Sequence, residues 1–276
     1  MSAAAGTTLA PPVEHRRDIR PFAQAMALAG RSARSTLRQP EMWLPSLIFP
    51  LMIAAVNNSA MARAVNLPGF PPVDSVLQFL LPATIVQGVM FGAISGGSDL
   101  ALDIQNGFWE RLVASPVSRP AILIGRLTGG ALLGACQTVV FVAIFALFGA
   151  RVDGGPAGVL VLMGMAVMVT LMIGGITAAV GVRTGSQETV DAAFPLVFIL
   201  LFMSSAFFPT ALMSGWFRSV AEHNPLSWMI DGARHQVIVG FDASEALQAV
   251  LVPAVIAVFT ISLAVRQMQK RLERDS

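Results

Sequence analysis

Charge is the scarcest ingredient of this sequence. Asp, Glu, Lys and Arg make up 12% of its 276 residues, while 55% are hydrophobic. A soluble domain carries roughly 25% charged residues, so this chain has too few to clothe a water-facing surface. Lysine is nearly missing: Lys270 stands alone, and there is no tyrosine at all. The single cysteine, Cys136, excludes an intrachain disulfide and a cysteine-based metal cluster. Lying inside an apolar run, it is expected to be a small buried hydrophobe. His15, His223 and His235 form no His-x-x-x-His or His-Glu-x-x-His pattern, so no metal site is expected.

The shortage of lysine has a chemical consequence. A phosphate-binding loop of the Gly-x-x-x-x-Gly-Lys-Ser/Thr kind needs a lysine followed by a hydroxyl residue. Here Lys270 is followed by Arg271. The chain is therefore not expected to hydrolyse ATP through such a loop. No Gly-x-Ser-x-Gly nucleophile turn occurs either. No catalytic residue, cofactor or nucleic-acid partner is expected in this chain. Residues 1–38 are polar, with Arg16, Arg17, Arg20, Arg31, Arg34 and Arg38, and lack an apolar core before a small-residue cleavage site. No cleavable leader is expected.

What is present in quantity is apolar sequence in long runs. About 20 apolar residues cross a bilayer as a helix. Six runs approach or exceed that length: 43–62, 76–98, 122–150, 158–182, 192–209 and 246–265. The expected fold is an all-α membrane protein with six transmembrane helices over 43–265 and both termini cytoplasmic. Residues 1–19 and 266–276 read as cytoplasmic tails. With the N-terminus inside, the inner segments hold fourteen of the eighteen basic residues, counting Arg126, which can snorkel to that surface. Positive charge collects on the cytoplasmic side of membrane proteins, which fixes this orientation.

Ionisable groups are missing from the depths of these runs. Ion-coupled transporters and proton pumps carry such groups within their spans, so a secondary transporter is disfavoured. Neutral polar residues do occur mid-span: Gln87, Gln137 and Thr170. They suit interhelical hydrogen bonds or a substrate path. Small residues four apart, such as Gly92/Gly96 and Gly181/Gly185, suit close helix approach.

Three segments are amphipathic rather than apolar. Residues 20–41 read as an interface helix, with Phe22, Met26, Ala29, Ala33 and Leu37 on one stripe and Arg31, Arg34 and Arg38 cationic. Residues 210–240 form the one long outer segment, expected as two short helices near the outer leaflet. Asp231 and Arg234 there have a spacing that lets side chains meet on a helix. Residues 99–120 fall on the inner side. Leu100, Ile104, Phe108 and Leu112 recur every four residues and so share a helical face, while Asp99, Asp103, Glu110 and Arg111 are polar. This segment reads either as a solvated loop lying on lipid or as a docking element for a cytoplasmic partner.

The stretch "QNGFWERLVASPVSRPAILIGR" resembles the inner loop of type-2 ABC transporter permeases, including the daunorubicin-resistance exporters. The matching residues are Gly107, Glu110, Arg111, Leu112, Ser115, Pro116, Arg119, Gly125 and Arg126. "FFPTALMSGWFRSVAEHNPLSWMIDGAR" resembles the family's outer segment at Phe208, Pro209, Trp216, Asn224, Pro225, Asp231 and Arg234. Asn106, Ser204-Ser205 and Ser214-Gly215 depart from the family's usual residues. The resemblance implies a permease subunit of an exporter in the cell membrane. It implies two copies of a separate cytoplasmic ATP-binding subunit, which hold ATP and Mg, and a second permease chain, identical or related. Residues 99–113 then resemble the coupling helix, with Leu100, Ile104, Phe108, Glu110, Arg111 and Leu112 as contacts. The outer segment offers gate candidates in Phe208, Pro209, Trp216, Asn224, Asp231 and Arg234. The competing readings are a stand-alone secondary transporter or channel, and a membrane assembly factor.

Overall fold

The computed structural model describes residues 40–107 and 119–274, and they contain no strand. Helix α1 spans Pro40–Ala60 and carries Pro45 and Pro50 inside it. Helix α2, Val76–Gln105, begins at the N-cap Ser75, whose hydroxyl accepts from the Gln78 N–H. At about 1.5 Å per residue, its 30 residues rise roughly 45 Å, more than the ~30 Å apolar thickness of a bilayer. It stops at Gln105, and Gly107 follows with φ 67°, a left-handed conformation that suits glycine. Helix α3 spans Arg119–Leu147. Helix α4, Gly155–Thr184, starts with Pro156 in its first turn and ends on Gly185, φ 61°, whose N–H bonds to Gly181.

Two short helices follow: α5, Gln187–Asp191, and α6, Phe194–Phe202. A turn then leads to α7, Gly215–His223, and α8, Pro225–Ile238, which share Asn224 between them. Helix α9, Ala243–Arg274, closes the chain. Asp242 precedes it and accepts from the N–H groups of Ser244 and Glu245, at 2.9 and 3.0 Å.

Five of these helices, α1 to α4 and α9, are long and apolar enough to cross a membrane. The fifth expected span is corrected: residues 192–209 do not form one long helix. Helix α6 has nine residues, rising about 13 Å at ~1.5 Å per residue. Ser204 turns its hydroxyl back onto the Leu201 carbonyl, at 2.5 Å, and the chain turns there. The α5–α6 stretch nonetheless runs from one end of the bundle to the other. Asp191 meets Ser98 near the lower end of α2, and Leu200 and Met203 meet Asn224 at the α8 end.

Helix α2 is the hub. Nearly every side chain from Gln78 to Met90 is buried, whereas α1 and α9 present large apolar side chains outward, among them Met52, Val56, Val255 and Phe259. Such outward faces suit lipid, where helices associate by close packing rather than by the hydrophobic effect. Close packing is explicit at Gly232 of α8, where a Cβ would lie 2.6 Å from the Glu245 carbonyl oxygen.

The buried apolar residues fall into two clusters. A large one runs from Val76 to Ile94 along α2 and takes in Phe141, Leu162, Val169, Leu201, Met229 and Ala257. A small one near the lower end joins Leu100 and Ile104 of α2 to Leu123, Ala178, Ala179, Val182, Ala264 and Met268.

Candidate functional site

The α8 end is held by one arginine. Arg234 is 5% exposed, and burying a cation is costly unless every donor is matched. Its Nε donates to the Phe79 carbonyl at 3.1 Å, and Nη2 donates to the carbonyls of Ser205 and Ala206 at 2.8 and 3.2 Å. Nη1 pairs with Asp231, three residues earlier on the same helix. The guanidinium carbon lies 3.8 Å from the centre of the Phe79 ring. Burial lowers the guanidinium pKa to about 10 and Asp231 acts against that lowering, so the group stays charged at neutral pH. Asp231 also accepts from the Ser205 hydroxyl at 2.7 Å. The clamp thus joins α2, the 203–209 turn and α8.

Asn224 extends it. Its amide nitrogen donates to the Leu200 and Met203 carbonyls, and its oxygen caps α8 by accepting from the Leu226 N–H. Of the outer gate candidates, then, Asn224, Asp231 and Arg234 bond within the chain, and Pro209 is buried. Phe208 and Trp216 stand on the surface, 49% and 70% exposed.

The lower end is built differently. Arg126 of α3 pairs with Asp103 of α2 at 2.7 Å, both side chains under one-third exposed. Ser98 donates to Asp191 of α5. Arg271 of α9 donates to the Val182 carbonyl at the end of α4, at 2.9 Å. Cations suit that position because carbonyls there lack helical partners.

The inner segment differs from its expectation. Asp99 to Gln105 is the last part of α2, not the start of a separate helix. Leu100 and Ile104, expected on a docking face, are buried in the small apolar cluster. They anchor the segment to the bundle. Phe108, Glu110, Arg111 and Leu112 lie outside the described residues, as do Arg31, Arg34 and Arg38 of the expected interface helix.

The mid-span polar candidates separate on their bonding. Pro50 has no N–H, so the Ser46 carbonyl one turn earlier loses its helical donor. The Gln137 amide supplies one from α3 at 2.8 Å. Thr170 bonds back to the Ala166 carbonyl at 2.8 Å. Gln87 is fully buried, and neither amide atom has a partner. Cys136 is corrected as well: it faces outward and is exposed.

Sequence inspection missed the partners of this machinery: Ser205, the Phe79 carbonyl, and the Asp103–Arg126 pair. Pro50 was a readable signal, since its missing N–H announces an orphaned carbonyl. Nothing local marks Phe79.

These features define a polytopic helical membrane protein whose charged groups, among the described residues, are gathered at its two ends. Residues 23–238 match the family described as ABC-2 type transporter. The chain is 33% identical to the daunorubicin resistance ABC transporter permease protein DrrB1 of Streptomyces coeruleorubidus, across 69% of this chain and 65% of that relative's length. It is 28% identical to the putative transport permease ycf38 of Porphyra purpurea, across 76% of this chain and 72% of the relative. It is 29% identical to the linearmycin resistance permease protein LnrN of Bacillus subtilis, across 52% of this chain and 37% of the relative. The chain belongs to the ABC-2 type transporter family, as a multi-pass membrane protein with drug-resistance permeases among its relatives.

Proposed function

We propose that this chain is the permease subunit of an ATP-driven exporter in the cell membrane. It moves a hydrophobic or amphiphilic molecule (a drug, lipid, polyketide or glycoconjugate) out of the cell. Family membership over residues 23–238 carries this reading. Relatives named for daunorubicin and linearmycin resistance favour a drug among those classes.

In this reading the α5–α6 stretch supplies the fifth of six passages through the bilayer, and both termini face the cytoplasm. The clustering of basic residues in the inner segments supports that orientation. ATP and Mg are bound by a separate cytoplasmic subunit, present in two copies. A second permease chain completes the pathway. The 108–118 segment, bearing Phe108, Glu110, Arg111 and Leu112, docks the ATP-binding subunit, and Arg31, Arg34 and Arg38 lie on an interface helix beside it. Closure of the ATP-binding pair moves the docked segment as a rigid body and shifts the permease between inward and outward access. Phe208 and Trp216 face the outer mouth on a platform fixed by Asn224, Asp231 and Arg234. Of the mid-span candidates, Thr170 borders a cleft between the helices and Gln87 keeps an amide without a partner, which supports a place for both along the pathway.

The test is co-purification with a co-expressed ATP-binding subunit, followed by ATP-dependent flux from vesicles. Glu110→Ala with Leu112→Asp should weaken the association and the flux together. Undiminished ATP-dependent transport by that double variant would refute the docking assignment. Flux with no ATP-binding subunit present would refute the exporter reading.

A further inference from the structure

Between the two apolar clusters lies a layer that belongs to neither. On α2 it is Ser95-Gly96-Gly97-Ser98, on α4 Gly174-Gly175 and Thr177, on α3 Gly130, and on α9 Thr260. The helices touch there almost backbone to backbone. A Cβ on Gly97 would lie 2.3 Å from the Thr177 Cβ, and one on Gly175 would lie 2.4 Å from the Thr260 hydroxyl oxygen. Thr177 donates across to the Ala93 carbonyl at 3.2 Å, and Thr260 across to the Met172 carbonyl at 3.0 Å. Interlocking side chains fix one helix against another; at these two contacts only the short side chains of Thr177 and Thr260 reach across.

The same layer holds open space. A small cleft of about 30 Å³, partly open to the surroundings, is lined by Gly92, Gly96, Gly97, Gly130, Thr170 and Gly174 among others. A Cβ on Gly92 or Gly96 would meet nothing within 4 Å. Helices bend most readily at Gly/Ser pairs, and glycine inside a helix gives up backbone order that alanine would keep. Below the layer, the small apolar cluster and the Asp103–Arg126 pair bind the lower ends of α2 and α3 together, with the 108–118 segment between them.

We infer that Gly92 and Gly96 are positioning residues for transport. They keep open a waist about which the lower end of the bundle, bound together by Asp103–Arg126, turns as one body against the larger core above. The inference rests on the exporter reading, because something must push the lower end. The open space beside Gly92 and Gly96 gives the turning end room, and the close contacts at Gly97 and Gly175 give it a pivot.

The full chain is reconstituted in vesicles with its ATP-binding subunit. It carries an environment-sensitive fluorophore on Ile124→Cys in a Cys136→Ser background. Ile124 is 44% exposed at the lower end of α3. ATP should change the label's emission in this parent. Gly92→Ala with Gly96→Ala should raise the melting temperature and leave binding of the ATP-binding subunit unchanged. The ATP-driven emission change should fall at least threefold. Gly164→Ala, in the upper part of α4 where a Cβ would sit 3.4 Å from Val250, is the control and should leave the amplitude intact. An amplitude in the double variant equal to that of the control overturns the waist. Failure of both single variants, Gly92→Ala and Gly96→Ala, to assemble overturns the open space on which it depends. A parent with ATP-dependent flux but no emission change also overturns the waist, whereas a parent that binds ATP through its subunit and shows no ATP-dependent flux overturns the exporter reading itself.

Discussion

The two ends of the bundle carry similar charges and use them in opposite ways. At the α8 end, Arg234 is buried and its donors reach four separate groups from three parts of the chain. At the lower end, Arg126 meets Asp103 across a single salt bridge that is nearly one-third exposed. A buried ion with four of its five donors matched is costly to disturb, whereas a partly solvated pair exchanges partners with water at little cost. The α8 end is thus built to hold one arrangement. The lower end is built to stay joined while its surroundings change.

That contrast can be broken experimentally, and the largest effect should come from the clamp. Arg234→Met leaves the carbonyls of Ser205 and Ala206 without this donor, removes a side-chain donor from the Phe79 carbonyl and leaves Asp231 without its cation. Loss of one partner from a buried pair costs about 3–5 kcal/mol, so the variant should melt far below the parent in detergent. A melting temperature within two or three degrees of the parent would show the clamp to be dispensable.

Next in size is the bond from α3 to α1. Gln137→Leu should cost roughly 1–2 kcal/mol, because the Ser46 carbonyl is left without a donor. Pro50→Ala returns a backbone N–H one turn above Ser46. In that background the Gln137→Leu penalty should largely vanish. A double-mutant cycle with no coupling would refute this account of Gln137.

Gln87→Leu runs in the opposite direction. Replacing an amide that has no partner by an apolar group of similar size should stabilise the bundle by about 1 kcal/mol. A fall in melting temperature would mean that the amide is bonded after all. Arg126→Ala should cost at most about 1 kcal/mol, as expected for a partly exposed pair. Its stronger effect should be on ATP-driven flux, and a variant with normal flux would weaken the case for a joined lower end.

The smallest effect concerns the start of α9. The Ser244 hydroxyl, with help from the Glu245 and Ser244 N–H groups, holds the Asp242 carboxyl below its ordinary value of 3.8. A lowered folded pKa means a contribution that is full above 3.8 and lost as pH falls through the lower folded value. Amide exchange in the first turn of α9 should therefore stay slow down to about pH 4 and quicken only in stronger acid. Asp242→Asn should remove that acid dependence.

How much of this was legible beforehand depended on the range of the interaction. The long helices follow from uninterrupted apolar runs, a local property. The turn after Phe202 defeated that reading, because Met203–Phe208 is as apolar as a span. What bends it is the Ser204 hydroxyl and the distant grip of Arg234 on the Ser205 and Ala206 carbonyls. The Asp231–Arg234 spacing was visible, yet its setting was not. A charged pair beside tryptophans looks like a surface feature, and only the fold brings Phe79 over it. The four-residue stripe after Asp99 misled for a related reason. Leu100 and Ile104 do share a face, but periodicity cannot say whether a face meets a partner or the chain's own helices.

The clamp also bears on how the protein is made. The Phe79 carbonyl and the Arg234 guanidinium are 155 residues apart in the chain. Helix α2 must therefore enter the membrane long before the group that completes it has been synthesised. A chain broken off before Arg234 would keep its first four long helices, but the carbonyls of Ser205 and Ala206 would lose the donor that pairs them. Unpaired backbone groups in a membrane cost several kcal/mol each. Truncated products should accordingly be loose at this end and open to membrane proteases, so that one arginine doubles as the mark of a finished chain.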